Sequence, residues 1–152
     1  MIRNMSISER QIFSNLARDL LADGTPFVFV ARGRSMAPVI SDGDFVVVNP
    51  CNSKVSVGDV VLLRSGDAIL LLHRIIKKTP DGVVTRGDAC LNDDGISRYE
   101  DILGKAVKVE GRKTSPFLCA PFGYLLILAL RLRTYPRIFY PLKAVFKKVF
   151  SG

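Results

Sequence analysis

Two periodicities divide the chain. Between Phe13 and Leu21 the apolar residues Phe13, Leu16, Ala17, Leu20 and Leu21 recur three and four positions apart, the spacing that lines one face of an α-helix. Ser8 followed three residues later by Gln11 fits a capping box at its start. Gly24 and Thr25-Pro26 end it. Residues 1–24 therefore predict one amphipathic helix. From Phe27 the period shortens. Phe27–Ala31, Phe45–Val48, Val60–Leu63, Ile69–Leu72, Val83–Thr85 and Ala106–Val109 are short runs rich in β-branched or large apolar residues. Gly-Asp and Asp-Gly pairs punctuate them at Asp42-Gly43-Asp44, Gly58-Asp59, Gly66-Asp67, Asp81-Gly82, Gly87-Asp88 and Asp94-Gly95. Many short strands with frequent turn signals predict a mainly β, compact, coiled domain over residues 25–112.

A third pattern covers residues 113–152. Pro116 to Leu130 is almost wholly apolar, but Pro121 and Gly123 interrupt it. It is shorter than the ~20 residues a membrane-spanning helix needs. After Pro141, Leu142, Val145, Phe146, Val149 and Phe150 share one helical face, with Lys143, Lys147 and Lys148 mostly on the other. A basic, apolar helical tail of this kind suits a bilayer surface, and it equally suits packing on protein.

Charge sharpens the division. The chain of 152 residues carries +8. Residues 105–152 hold ten Lys/Arg and one acid, and residues 1–104 are close to neutral. The basic residues of the tail alternate with Leu, Ile and Phe, a pattern that points to an anionic membrane surface touched through residues 116–150 rather than to nucleic acid. Residues 1–24 contain no continuous apolar run, so neither a secretory signal nor an N-terminal anchor is expected. Cys51, Cys90 and Cys119 are few, far apart and without metal-site spacing. They predict reduced thiols and no metal or cofactor. A cytoplasmic protein, peripheral on the cytoplasmic membrane face, is the expectation.

Candidate chemistry sits in three places. Gly33-Arg34-Ser35-Met36-Ala37-Pro38 follows the first strand. A glycine before the serine permits an unusual backbone, and a serine held in such a turn can expose its hydroxyl and lend its own N–H to an oxyanion. His73, the sole histidine, ends the run Ile69–Leu72. A neutral imidazole can take a proton from a serine hydroxyl. Gly87-Asp88 and Asn92-Asp93-Asp94 follow the next strand and offer carboxylates that could orient that imidazole. Each signal alone is common in proteins without such chemistry.

Their order is more specific. Gly33-x-Ser35-Met36-x-Pro38, Gly43-Asp44, Gly58-Asp59-Val60-Val61, His73-Arg74-Ile75, Thr85-Arg86-Gly87-Asp88, Asp93-Asp94 and Gly104-Lys105-Ala106-Val107 follow one another along residues 27–109. This succession resembles the type I signal peptidase family, whose fold is shared with the LexA-like repressor peptidases. Most bacterial signal peptidases place a lysine where His73 stands, and this chain is similar to the archaeal and endoplasmic-reticulum type, in which histidine replaces it. The resemblance implies Ser35 as nucleophile, His73 as base, and Asp88, Asp93 or Asp94 as the orienting acid. It implies the Ser35 N–H as an oxyanion donor and Met36 near a pocket for small substrate residues, with Gly33 shaping that pocket. Arg34 stands where the family commonly has a small residue, and Ala89-Cys90 where the reticulum enzymes carry amides.

The expected function is a serine endopeptidase that forms an acyl-enzyme on Ser35 and cleaves a peptide or small protein held extended along a strand edge. Two other readings stand beside it. One is a LexA-like self-cleaving regulator, against which the short segment before the fold counts. The other is a non-catalytic peptide-binding module, which has no need of both Ser35 and His73.

Overall fold

The computed structural model describes residues 6–51, 54–66 and 69–110. The tail expected from residue 113 onward lies outside them. The described part holds one α-helix and one seven-stranded antiparallel sheet.

Helix α1 runs Ile7–Ala22 and starts two residues earlier than the Ser8–Gln11 pair suggests. Ser6 is the N-cap: its hydroxyl accepts from the Glu9 N–H, and the Glu9 carboxylate accepts from the Ser6 N–H at 2.7 Å. That backbone bond, followed by the Ser6 hydroxyl, holds the Glu9 carboxyl below its ordinary value. A depressed acid stabilises the fold above its unfolded value and loses that contribution as pH falls through the lowered one. At the other end Gly24 takes a left-handed φ of 83°. The Thr25 N–H reaches the Leu20 carbonyl and the Gly24 N–H that of Leu21, a Schellman closure that satisfies two carbonyls. The buried stripe is Ser14, Ala17 and Leu21, with Phe13 and Leu20 packed beside it. Leu16, expected on that stripe, is 49% exposed.

The strands are β1 (Phe27–Val30), β2 (Phe45–Asn49), β3 (Val60–Ser65), β4 (Ile69–Thr79), β5 (Gly82–Arg86), β6 (Ile96–Ser97) and β7 (Ile102–Val109). Their spatial order is β1-β2-β7-β3-β4-β5-β6, so the last strand lies inside the sheet. In β1 the alternation is plain: Phe27 and Phe29 are buried and Val28 is exposed. Phe13 of α1 meets Phe27 edge-on with ring centroids 5.4 Å apart, which seats the helix on this end of the sheet. β3 is buried on both faces from Val60 to Leu63, so its run is continuous rather than alternating.

Two apolar clusters result. Val60, Leu62, Leu70 and Leu72 join α1, β1 and β2 in one; Val61, Leu63, Ile75, Val83 and Ile102 form the other. β4 continues seven residues beyond its apolar run, through a bulge between Ile75 and Lys77. It pairs with β3 over Ile69–Arg74 and with β5 over Arg74–Thr79. His73 thus stands where β4 changes partner, and the outer edge of Ile69–His73 has no strand partner among the described residues.

Candidate active site

The chain leaves β1 at Val30 and turns at Gly33, whose φ is +95°. A Cβ there would meet nothing within 4 Å, so the backbone angle, not space, asks for glycine. The Gly33 N–H donates to Asp42 Oδ1 at 2.7 Å, tying the turn to the hairpin before β2. A single helix-like turn follows, with the Ile40 N–H on the Met36 carbonyl. Met36, Val39 and Ile40 anchor it in the first apolar cluster. Ser35 at its start is half-buried, and its N–H has no hydrogen-bond partner among the described residues.

His73 approaches from β4. Its Nε2 lies 3.0 Å from Ser35 Oγ, and its Nδ1 lies 2.6 Å from Asp94 Oδ2. The imidazole side chain is 6% exposed. With the proton on Nδ1, the ring donates to the Asp94 carboxylate and its Nε2 accepts the Ser35 hydroxyl proton. The carboxylate is itself held. Thr85 Oγ1 donates to the same Asp94 Oδ2 at 2.8 Å, and the Asp94 N–H donates to the Thr85 carbonyl at 2.9 Å. Thr85 is fully buried on β5. Sequence reading passed over this threonine; its place two residues before Gly87-Asp88, on the strand leading to the acids, was the available signal.

Of the three acids considered for His73, the structure brings Asp94 to it and turns the other two away. Asp88 faces Arg74. The guanidinium donates through Nε and Nη2 to both carboxylate oxygens, at 2.7 and 2.6 Å, and through Nη1 to the Gly58 carbonyl. Both side chains are almost fully buried. A bidentate carboxylate satisfies a buried guanidinium better than any single contact, and this fixes Asp88 away from the ring. Asp93 points to Arg86, with its nearest oxygen 3.6 Å from Nη1 on the exposed side.

The Gly87–Cys90 turn locks the two halves of the site together. Its Ala89 N–H donates to the Ser35 carbonyl at 2.8 Å, and Asp88 holds the residue next to His73. A Cβ on Gly87 would lie 2.6 Å from the Ser35 carbonyl oxygen and 3.0 Å from His73 Nε2, so only glycine lets the turn come this close. Cys90 adjoins the same point. No disulfide joins Cys51 and Cys90; Cys119 lies outside the described residues.

Beside Ser35 opens a cavity of about 40 Å³ lined by Ala31, Arg32, Gly33, Ser35, Met36, Ile40, Leu71 and Leu72. The cavity is small and opens to solvent, and it has room for a small side chain. Gly33 and Met36 thus lie beside Ser35 at this cavity. Lys78 is elsewhere: its Nζ donates to the Val55 carbonyl and sits 5.8 Å from the Tyr99 ring centre. Lys77 is exposed. Among the described residues no cluster of three His, Cys, Asp or Glu is placed to hold a metal ion, and no helix is long and apolar enough to cross a membrane.

A protein-family model described as Peptidase S24-like matches residues 4–107. Neither the curated proteins nor the solved structures include a match to this chain.

Proposed function

The chain belongs to the Peptidase S24-like family, and on that premise we propose that it is a serine endopeptidase with Ser35 as nucleophile, His73 as general base and Asp94 as orienting acid. The observation that carries this reading is the unbroken hydrogen-bonded line from Ser35 Oγ through His73 to Asp94. A serine hydroxyl is a weak nucleophile until a base takes its proton as it attacks. His73 Nε2 is within reach to do so, and the Asp94 carboxylate favours the imidazolium that results. Ser35 Oγ adds to the scissile carbonyl carbon, and the oxygen that gains charge is met by the free Ser35 N–H. His73 then returns its proton to the leaving amine, and water attacks the acyl-enzyme by the same route in reverse.

The substrate lies extended along the unpaired edge of Ile69–Leu72, where main-chain hydrogen bonds supply affinity without regard to sequence. Its side chain next to the scissile carbonyl enters the cavity beside Ser35 and is small. Self-cleavage has less support, because α1 and β1, the described segments before Ser35, are packed into the apolar cluster. The basic, apolar residues 116–150 hold the enzyme at an anionic membrane surface.

The test is incubation with a peptide library prepared from a whole proteome, with new termini read by mass spectrometry. Cleavage after small residues by the wild-type protein and none by Ser35→Ala supports the reading. Equal cleavage by both proteins, or none by either, overturns it.

A further inference from the structure

Arginines flank the nucleophile on both sides, at positions 32 and 34. Both are exposed, and among the described residues neither guanidinium has an ion-pair or hydrogen-bond partner. The acids nearby in the fold are engaged: Asp42 on the Gly33 N–H, Asp94 on His73 and Thr85, and Asp88 on Arg74. Arg32, unlike Arg34, lines the cavity beside Ser35. The rest of that wall is apolar or uncharged, from Ala31, Gly33, Met36, Ile40, Leu71 and Leu72. Arg32 is therefore the one charged residue among those that line the cavity, and no acid lines it.

We infer that Arg32 selects substrates carrying an Asp or Glu close to the small residue at the scissile bond. This rests on the peptidase reading and names its substrate class. The guanidinium reaches roughly 7 Å from its own backbone, and an extended peptide advances about 3.3 Å per residue, so the acid lies within about two residues of the small one. A guanidinium meets a carboxylate with two parallel N–H donors, which fixes the peptide's position as well as adding attraction. Exposure limits the gain: an exposed pair of this kind changes affinity by about two- to fivefold, with more where the bound peptide displaces water. The same exposure makes the preference weaken with salt.

The experiment profiles cleavage of the proteome-derived peptide library by wild-type, R32Q, R32E and R34Q proteins at about 50 mM and about 500 mM salt. Enrichment of Asp and Glu within two residues of the small residue is expected for wild-type at low salt, about two- to fivefold over their frequency in the library. It should fall at high salt, vanish in R32Q, give way to Lys and Arg in R32E, and persist in R34Q. Cleavage at small residues with no acidic enrichment overturns the inference and leaves the peptidase reading standing. Loss of the enrichment in R34Q but not in R32Q overturns the assignment to Arg32. No cleavage by the wild-type protein overturns both.

Discussion

His73 Nε2 lies 3.0 Å from Ser35 Oγ across 38 residues of sequence, because β1 delivers the serine turn to the point at which β4 exchanges β3 for β5. Either side chain alone would carry little meaning; held in hydrogen-bond contact they have the geometry of the nucleophile and base proposed above. Replacing either should abolish cleavage, with losses on the order of 10²–10⁴-fold or more, while circular dichroism and thermal unfolding stay close to wild type. Lys77→Ala and Lys78→Ala should leave the rate within about twofold, since the side chain in hydrogen-bond reach of Ser35 Oγ is His73, and Lys78 Nζ is held at the Val55 carbonyl. Activity that survives His73→Ala and disappears in Lys77→Ala would reverse the assignment of the base.

The acids separate by readout. Asp94→Ala should cost activity by about 10²-fold or more with the fold intact, because His73 loses its orienting carboxylate. Asp88→Ala should instead cost stability, about 3–5 kcal/mol, because it strands the buried Arg74 guanidinium without its partner. Urea unfolding and peptide cleavage measured on both variants distinguish the two. A stable Asp88→Ala protein with no activity would show that the ion pair acts on chemistry rather than on folding.

Thr85 should behave as a positioning residue for Asp94. Thr85→Val keeps the shape and removes the hydroxyl donor, and about a tenfold loss of kcat with little change in KM is expected from one lost hydrogen bond to a charged group. Thr85→Ser should restore most of it. Full activity in Thr85→Val with a loss in Thr85→Ser would point to the packing of the methyl group instead.

Gly87→Ala tests the close approach of the turn to the site. The added methyl would collide with the Ser35 carbonyl and with His73, so the turn or the catalytic side chains must shift. A shift of about 1 Å at reacting groups costs on the order of 10²-fold in rate. Near-normal activity in Gly87→Ala would mean that the turn can move without disturbing Ser35 and His73.

The tail is tested by ending the chain at Lys113. The full-length protein should bind anionic vesicles at low salt and the shortened one should not, since residues 105–152 carry ten Lys/Arg against one acid. Equal binding by the two would remove the membrane role from residues 116–150.

Much of this molecule is written locally. Alternation over Phe27–Val30 and the apolar runs at Val60 and Ile69 mark strands because burial of every second or every residue is a property of the segment itself. The helix is legible for the same reason, although Ser6, not Ser8, caps it: both serines have a Glu or Gln three residues on, and only the path of the chain chooses between them. The extension of β4 through Lys77 and Lys78 and the two-residue β6 are not legible, because their pairing is supplied by a neighbouring strand and not by their own apolar pattern. The order of Gly33-x-Ser35, His73 and Gly87-Asp88 points to the family and to the residues proposed to carry its chemistry. It left three acids open to His73, and only the tertiary structure divides them. Asp88 is drawn to the buried guanidinium of Arg74, Asp93 faces outward to Arg86, and the chain from Thr85 brings Asp94 back to the ring. A carboxylate's partner depends on where the turns around it close and which buried charge it must satisfy, and neither is a property of the residue's immediate neighbours in sequence.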